Sequence, residues 1–229
     1  MNNIAPNIWT VDGPQVRFAG APMDTRMTLV LLNDGTFWVH SPIPIDATLR
    51  GWLDERGGDV AAVVAPNRYH HLFVQEWRDA FPEAEVYAEA RLVGRNLTAL
   101  QGARTLDDEP PELFRDDLDQ VVFAGNPLVS EAVFFHRASR TLIMTDLMIN
   151  VRTEHMPFFA RAFMAFEGVR WPAGGIPRLV RLLTTDRAAA RRAAEKMLAW
   201  QPERVLLCHG EMFDEPPSAV LEREFAWLF

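Results

Sequence analysis

Short apolar runs separated by turn residues fill the first half of the chain, and they predict β-strands. Four such runs lie in the first forty residues: "NIWTV", "QVRF", "RMTLVLL" and "TFWVH". Asp12-Gly13-Pro14 separates the first two runs and Asp34-Gly35 the last two, as is typical of antiparallel hairpins. The later run "VAAVVAP" is rich in valine, which favours a buried strand. This half of the chain therefore predicts a sheet.

Helical periodicity follows the strands in each half of the chain. The clearest predicted helix spans about residues 186–200, where Ala190, Ala194 and Met197 fall on one stripe. Further strands are predicted at "DQVVFAG", "EAVFFH", "TLIMTD" and "RVLLCHG". Strands followed by helices thus occur twice, an order that suits two sheets packed face to face with helices outside them. Because no linker-like stretch interrupts the chain, we predict a single domain over residues 1–229.

Composition and charge narrow the classes of protein. The chain of 229 residues has a formal net charge of −8, which argues against a nucleic-acid-binding surface. Its one cysteine, Cys208, excludes an intrachain disulfide and favours a reducing compartment. The first residues lack the basic and apolar regions of a signal peptide, and no apolar run approaches the roughly 20 residues that cross a bilayer. We therefore expect a cytoplasmic protein with no membrane span.

Ionisable side chains collect at the predicted carboxyl ends of the strands. Four strands are each followed by candidate metal ligands: His40 in "TFWVH", His70 and His71 after "VAAVVAP", Asp146 in "TLIMTD", and His209 after "VLLC". Loops at this edge of a sheet can direct side chains to one spot, and imidazole with carboxylate suits a Zn²⁺-like ion. Hydrogen bonding or partial exposure explains any one of these histidines equally well, but the joint pattern favours a metal site.

The same residues, in this order along the chain, resemble the metallo-β-lactamase superfamily. The similarity runs from "NIWTVDG" to "CHGEMF" and includes the histidine pair, "TLIMTD" and "RVLLCHG". Within the superfamily, "VHSPIPI" and "VVAPNRYHHLFVQEW" resemble an uncharacterised branch. The resemblance implies an α+β fold, a four-layer αββα sandwich of two mixed β-sheets with helices on both outer faces.

Members of the superfamily carry the motif H-x-H-x-D-H after the strand that here is "VAAVVAP". The resemblance places Pro66 and Arg68 at the first two histidines of this motif, and Asn126 at a third ligand from a later G-H loop. None of these three side chains replaces imidazole, so the resemblance implies that the first of two metal sites is lost. Arg68 would bring positive charge to the place of the missing ion and balance Asp146.

The second metal site keeps four candidate ligands: His70, His71, Asp146 and His209. By the resemblance, His70 stands at the motif's aspartate and His71 at its final histidine. Asp146 matches an aspartate that bridges the two metals, and His209 matches the last histidine. The implied cofactor is one divalent metal, zinc, with iron or manganese as alternatives. His40 stands where the superfamily has a supporting aspartate, so it either supports a ligand or packs in the core.

These ligands predict a mononuclear metal-dependent hydrolase that acts on a small-molecule ester, amide or phosphoester, with a water activated by the metal. If all four residues bind zinc, the tetrahedral shell is closed and the ion is structural. If His70 turns away, water can enter. Two other classes stay open: a mononuclear iron oxidoreductase, and a metal-free scaffold or binding protein of the same fold.

A phenylalanine-rich segment, residues 156–171, follows the strand that ends at Asp146. Its phenylalanines are more numerous than an ordinary surface helix carries: Phe158, Phe159, Phe163 and Phe166. The pattern predicts a helix with three alternative roles. It is a lid over an apolar substrate pocket, a face through which the chain forms a homodimer, or a helix of the core.

Overall fold

Two β-sheets pack face to face at the centre of the protein. The structure is a computed structural model that describes residues 1–18, 21–95, 97–127 and 129–229. Its strands are, in chain order, β1 (Asn2–Ala5), β2 (Ile8–Asp12), β3 (Val16–Phe18), β4 (Ala21–Met23), β5 (Arg26–Leu31), β6 (Phe37–His40), β7 (Val60–Ala65), β8 (Glu85–Glu89), β9 (Arg104–Leu106), β10 (Leu118–Phe123), β11 (Glu131–His136), β12 (Thr141–Met144) and β13 (Arg204–Leu207). Its α-helices are α1 (Ala47–Asp54), α2 (Val74–Ala80), α3 (Ala90–Val93), α4 (Phe158–Glu167), α5 (Arg178–Leu183), α6 (Arg187–Ala199) and α7 (Pro217–Phe225).

Both sheets combine parallel and antiparallel pairs. The first sheet has the strand order β1-β2-β5-β6-β7-β8-β9, and the second has the order β10-β11-β12-β13. In the first sheet β6 to β9 run parallel to one another, and in the second β12 and β13 do. The hairpin of β3 and β4 stands apart from both sheets. Parallel strands bring their carboxyl ends to one edge, so β6, β7, β12 and β13 direct the loops that follow them to that edge.

Three apolar layers hold the sheets and helices together. Between the sheets, Trp38 of β6 and Phe134 of β11 meet edge to face with ring centroids 4.9 Å apart. Burying an aromatic ring of this kind contributes about 1.5–3 kcal/mol. Trp77 of α2 packs under the outer face of the first sheet, and Met197 and Phe225 pack α6 and α7 on the second. The arrangement is the predicted four-layer αββα sandwich.

Several predicted elements are confirmed. "VAAVVAP" and "TLIMTD" contain β7 and β12, and the helix predicted over about 186–200 is α6, whose first turn is capped because Asp186 accepts from the Ala189 amide at 2.9 Å. After β7, residues 70–73 form a turn, and α2 begins at Val74. Among the described residues, no helix has the length and apolar character to cross a membrane.

The two sheets are joined by hydrogen bonds at the edge where the parallel strands end. The Ala132 amide of β11 donates to the Pro66 carbonyl at 2.8 Å, directly after β7. Asn67 and Glu131 form an isolated β-bridge beside it, and the Asn67 side chain donates to Glu131 at 3.2 Å. This contact fixes the loop after β7 against the second sheet, and with it the direction of the side chains that follow.

Candidate metal centre

Three side chains from three separate loops, those of His70, Asp146 and His209, converge at the edge where the parallel strands end. The Nε2 atoms of His70 and His209 lie 3.2 Å apart. His70 Nε2 lies 3.2 Å from Asp146 Oδ2, and His209 Nε2 lies 3.2 Å from Asp146 Oδ1. Their side chains are only 7%, 7% and 16% exposed. Among the described residues they form a group whose donor atoms all lie within 4.8 Å of one another, as the ligands of one metal ion must.

The spacing and chemistry of the donor atoms fit one metal ion. Ligand atoms about 2.0–2.1 Å from a tetrahedral zinc are about 3.3 Å from one another. The two Nε2 atoms are 3.2 Å apart, and each lies 3.2 Å from the nearer of the two Asp146 oxygens. The Nδ1 of His209 lies 2.6 Å from the Asp24 carbonyl oxygen, which can only accept, so Nδ1 carries the proton. In the neutral ring Nε2 then has no proton, and its lone pair faces the Asp146 carboxylate. Two acceptors that face each other require a proton or a cation between them, and a divalent metal meets this need.

The outer ring nitrogens are held by groups of the first sheet. His70 Nδ1 lies 2.6 Å from the Ser41 hydroxyl, directly after β6. His209 Nδ1 donates to the Asp24 carbonyl between β4 and β5. Such partners fix the tautomer and the ring direction of metal-binding histidines. The sequence did not suggest Ser41 or Asp24, because a serine after a strand and a backbone carbonyl carry no recognisable pattern.

Asp146 is oriented by a buried polar network that the sequence also did not reveal. The Asn67 side-chain amide donates to Asp146 Oδ2 at 2.7 Å and to Thr145 Oγ1 at 2.8 Å. Asn67 Oδ1 accepts from the amides of Tyr69 and His70, which sets the turn after β7. Asn67 therefore positions two of the three converging side chains at once, and its only sequence signal is its place after "VAAVVAP".

Glu131 is the second member of this network. It is fully buried, and its two oxygens accept from the backbone amides of Thr145, Asp146 and Leu147 at 2.7–3.0 Å. Burial and the Asp146 charge raise the pKa of Glu131, while hydrogen bonds from Thr145 lower it. Glu131 thus holds the backbone that carries Asp146. In the sequence Glu131 is the first residue of the apolar run "EAVFFH", and a charged residue at the start of such a run is its only signal.

The electrostatics of the three residues are strongly coupled. Burial raises the pKa of Asp146, but the charge of His70 and hydrogen bonds from both histidines outweigh burial and hold that pKa well below its usual range. For His209, burial lowers the pKa, but the hydrogen bond and charge of Asp146 outweigh it and raise the pKa above 6.5. Asp146 is therefore ionised at any physiological pH, and a metal that binds here would have to displace a proton from His209.

This proton competition predicts opposite pH trends for the two forms of the protein. In the metal-free form, the raised pKa of His209 stabilises the fold fully below pH 6.5, and this contribution is lost as the pH rises through the folded pKa. Zinc binding needs the deprotonated ring, so zinc affinity should rise over the same interval. We expect the difference in melting temperature between zinc-loaded and metal-free protein to grow from about pH 6 to pH 8.5.

Differential scanning fluorimetry across that pH range, with and without saturating zinc, measures this difference. The pKa of His136 is lowered by burial alone, so its titration should contribute equally to the stability of both forms and cancel in the difference. Asp146 titrates far below the range. A difference that stays constant or shrinks as the pH rises would contradict competition between zinc and a proton at His209.

The structure leaves His71 out of the converging group. Its neighbour His70 faces Ser41 and Asp146, whereas His71 is not part of the group whose donor atoms lie within 4.8 Å of one another. Burial, then the charge of Arg95, lowers the pKa of His71, which places the ring in a different environment. The structure therefore brings together three of the four predicted ligands, His70, Asp146 and His209.

Arg68, Asn126 and His40, which were predicted to support the ligands or balance charge, are not members of the converging group. The Arg68 guanidinium stacks over the Tyr69 ring at 5.3 Å, and the charges that shift the pKa of Asp146 come from the histidines. The Asn126 amide donates to the Val180 carbonyl at 2.6 Å and so ties its loop to α5. His40 is fully buried and stacks on Trp38, and neither ring nitrogen has a hydrogen-bond partner among the described residues. Burial, then the charge of His70, lowers the pKa of His40. His40 therefore packs in the core close to the converging group, and its supporting role stays a prediction.

Arg26 clamps the loop that carries His209. Its guanidinium donates to the carbonyls of Leu207 and Gly210 at 2.9 and 2.8 Å, on either side of that histidine, and pairs with Asp12 at 2.7 Å. Lysine has a single nitrogen and cannot make all three contacts. We expect Arg26→Lys to lower zinc affinity about tenfold while the fold stays intact.

Competition with a chelating dye measures that affinity, and Arg50→Lys is the matched control. Arg50 pairs with Asp54 on the exposed face of α1, far from the clamp in the chain. Equal zinc affinity for Arg26→Lys and wild type would show that the loop holds His209 in place without this guanidinium.

An apolar cavity of about 330 Å³ lies against the three converging residues. Its walls come from the β3–β4 hairpin, α4, α5 and the turn after β7: Val16, Met23, Leu72, Phe163, Met164 and Val180. The volume is in the range of small-molecule sites. The site therefore combines buried metal-ligating groups with an apolar space large enough for a substrate.

The phenylalanine-rich segment forms α4 beside this cavity. The helix buries Ala160 and Met164, whereas Phe158 is 86% and Phe159 58% exposed. The interpretation as a core helix is wrong for these phenylalanines, because the hairpin packs on the opposite face of α4. Phe163 lines the cavity, so α4 borders the site.

Comparisons with known proteins agree with this architecture. A family model described as a domain of unknown function, DUF4336, matches residues 6–166. No curated protein matches the chain.

Solved structures share the whole fold at low identity. The DIM-1 metallo-β-lactamase exposed to ceftazidime has a TM-score of 0.65 and 14% identity, covering 99% of this chain and 94% of that one. A metallo-β-lactamase from Hirschia baltica has a TM-score of 0.63 and 11% identity, covering 99% and 95%. The flavodiiron protein from Giardia intestinalis has a TM-score of 0.65 and 12% identity, covering 99% of this chain but 59% of that one. The predicted metallo-β-lactamase fold is confirmed; identities this low establish the fold and not the activity.

Proposed function

The chain belongs to the DUF4336 family, whose description names no activity, and we therefore propose its function from the site. The proposed function is that of a mononuclear metal-dependent hydrolase that acts on a small ester, amide or phosphoester. One observation carries the proposal. Three donors, from His70, Asp146 and His209, converge against an apolar cavity. Three protein ligands are the number that catalytic zinc sites use, since the fourth position is left for water or substrate.

The metal that this donor set fits best is zinc, held by two imidazoles and one carboxylate. When bound, zinc supplies a nucleophile by lowering the pKa of water and polarises a carbonyl or phosphoryl oxygen. The chain's own residues do the rest. Asn67 and Glu131 hold Asp146 in place, Ser41 and the Asp24 carbonyl hold the imidazoles, and the apolar walls exclude bulk water from the reacting groups.

A second candidate, a mononuclear iron oxidoreductase, is favoured by the same ligand set. Two histidines and one carboxylate are also the ligands of many non-haem iron oxygenases, and a flavodiiron protein shares the fold. In this alternative the cavity would hold the molecule to be oxidised. The two candidates differ in the metal that the purified protein retains.

Elemental analysis of protein purified without chelator, together with two assays, tests the proposal. We expect one zinc per chain and hydrolysis of p-nitrophenyl butyrate or bis-p-nitrophenyl phosphate that is lost with EDTA and restored by zinc. One iron per chain with oxygen consumption would favour the oxidoreductase. Protein that retains no zinc, iron or manganese even after soaking would exclude both and leave the metal-free scaffold.

The exposed face of α4 supports a homodimer through residues 156–171. Phe158, Phe159 and Phe166 are all at least 49% exposed on one short helix, more apolar surface than a monomer usually leaves in water. We expect the double variant Phe158→Ser/Phe159→Ser to sediment as a monomer and the wild type as a dimer. Phe229→Ser is the control, because Phe229 is as exposed as Phe159 and lies beside Arg191 of α6. A monomeric wild type would leave the segment as a lid.

We also infer that residues 1–229 fold as one domain. The apolar layer between the sheets takes Trp38 from the first half of the chain and Phe134 from the second, and both are completely buried. Neither sheet could bury this layer alone.

A further inference from the structure

The apolar cavity beside the metal centre has a buried interior and an open rim. Three of its lining residues, Met23 in the β3–β4 hairpin, Val169 after α4 and Val180 in α5, are at most 5% exposed. Two others, Leu72 and Phe163, are 60% and 39% exposed. A ligand can therefore enter past Leu72 and Phe163 and lie against a buried apolar wall.

The volume of the cavity suits a linear chain of moderate length. An apolar cavity of about 150 Å³ holds the six-carbon ring of benzene, and this cavity, at about 330 Å³, is larger. In proportion it has room for about eight to twelve carbon atoms. Because the three converging residues line the same cavity, a chain that fills it would extend away from the metal centre.

The charged groups of the cavity favour an uncharged ligand. Among the described residues that line it, none is a lysine or an arginine. Its acidic lining residues are Asp146 and Glu167, and the imidazoles of His70 and His209 face Asp146. Burying an anion without a cationic partner is costly. A carboxylic ester or an amide has no net charge, whereas a phosphoester is an anion, so the cavity favours the ester or amide.

We propose that the substrate is an uncharged carboxylic ester or amide with one linear apolar chain of about eight to twelve carbons, which lies in this cavity. The inference rests on the proposed function for the reaction itself, and it selects the ester or amide from the classes given there. Hydrolysis adds the hydroxyl group of water to the acyl carbon and a proton to the leaving alcohol or amine. Phe163 at the rim and Val180 in the interior are then specificity-determining residues, because both line the space for the chain.

Ligand binding to metal-free protein tests the cavity without any catalysis. The probes are the N-methylamides of butanoic, octanoic, dodecanoic and tetradecanoic acid, measured by isothermal titration calorimetry. Each buried methylene adds about fourfold in affinity, so the octanoyl amide should bind on the order of a hundredfold more tightly than the butanoyl amide. The tetradecanoyl amide should bind no more tightly than the dodecanoyl amide, because a closed cavity is then full, whereas an open apolar surface would show no such limit. Octanoate should bind at least about tenfold more weakly than the octanoyl amide.

Three variants assign the binding to the cavity. Val180→Phe fills part of the interior, so the octanoyl amide should lose about tenfold in affinity and the butanoyl amide much less. Phe163→Ser removes an apolar wall at a partly exposed position, where the fold tolerates the change, and it should weaken the octanoyl amide about fivefold. Phe158→Ser changes a more exposed phenylalanine of the same helix outside the cavity walls and should change nothing.

The zinc-loaded protein separates this proposal from the hydrolase. Its kcat/KM should be at least about tenfold higher for p-nitrophenyl octanoate than for p-nitrophenyl acetate. If neither ester is hydrolysed but the metal-free protein shows the chain-length dependence, the hydrolase fails and the apolar-chain ligand stands. Equal affinity for the butanoyl and octanoyl amides, octanoate bound as tightly as the octanoyl amide, or equal losses in Phe163→Ser and Phe158→Ser would overturn the proposal.

Discussion

Replacing Asp146 with alanine is expected to abolish metal retention, and His209→Ala is expected to do the same. Each removes one of three converging donors, and Asp146 supplies the only negative charge among them. Changes that merely disturb such ligands cost about 10–100-fold in metal affinity, so loss of a ligand should exceed a hundredfold. Elemental analysis after dialysis against zinc measures the retained metal, and hydrolysis of p-nitrophenyl butyrate should disappear with it.

Two exposed residues provide matched controls for these variants. Asp79→Ala on α2 and His155→Ala before α4 remove the same functional groups outside the site, and both should retain zinc like the wild type. Circular dichroism should show a folded protein in all four variants, because the apolar layers do not depend on the ion. Full zinc content in Asp146→Ala would exclude Asp146 as a ligand and with it the site proposed here.

The convergence of Asp146 and His209 could be predicted from the sequence because it depends on topology. Asp146 and His209 follow β12 and β13, which are parallel neighbours, so their loops leave the sheet at the same edge. A strand pattern and a residue type are enough to place such groups. The apolar layers could be predicted in the same way. The strands in "VAAVVAP" and "TLIMTD" are almost completely buried, as their apolar composition predicts.

The choice between His70 and His71 could not be made from the sequence. Both follow the same strand, and their directions depend on how Asn67 Oδ1 ties the turn through the amides of Tyr69 and His70. That contact depends in turn on the second sheet, since Asn67 is held by Glu131. Local patterns carry no information about a partner 64 positions away in the chain. The strand β9 gives no sequence signal either, because a strand of three residues has no measurable period.

Glu131→Gln is expected to lower the free energy of unfolding by about 2–5 kcal/mol in the metal-free protein. Glu131 is 0% exposed and accepts four hydrogen bonds, from Asn67 and the backbone amides of Thr145, Asp146 and Leu147. Glutamine has one acceptor oxygen, and its amide group would face at least one of these donors. Buried donors left without an acceptor cost about 1–3 kcal/mol each.

Urea unfolding followed by tryptophan fluorescence measures this loss, with Glu85→Gln as control. Glu85 lies on a strand of the first sheet and pairs with Arg104 at a surface where both side chains are at least 36% exposed, so its replacement should change stability by less than about 1 kcal/mol. The loss in Glu131→Gln should also reach the metal site, because the amides that Glu131 holds belong to Asp146 and its neighbours. Zinc affinity should therefore fall together with stability. A variant as stable as the wild type, or one that is destabilised but binds zinc normally, would show that Asp146 is positioned by the strand β12 alone.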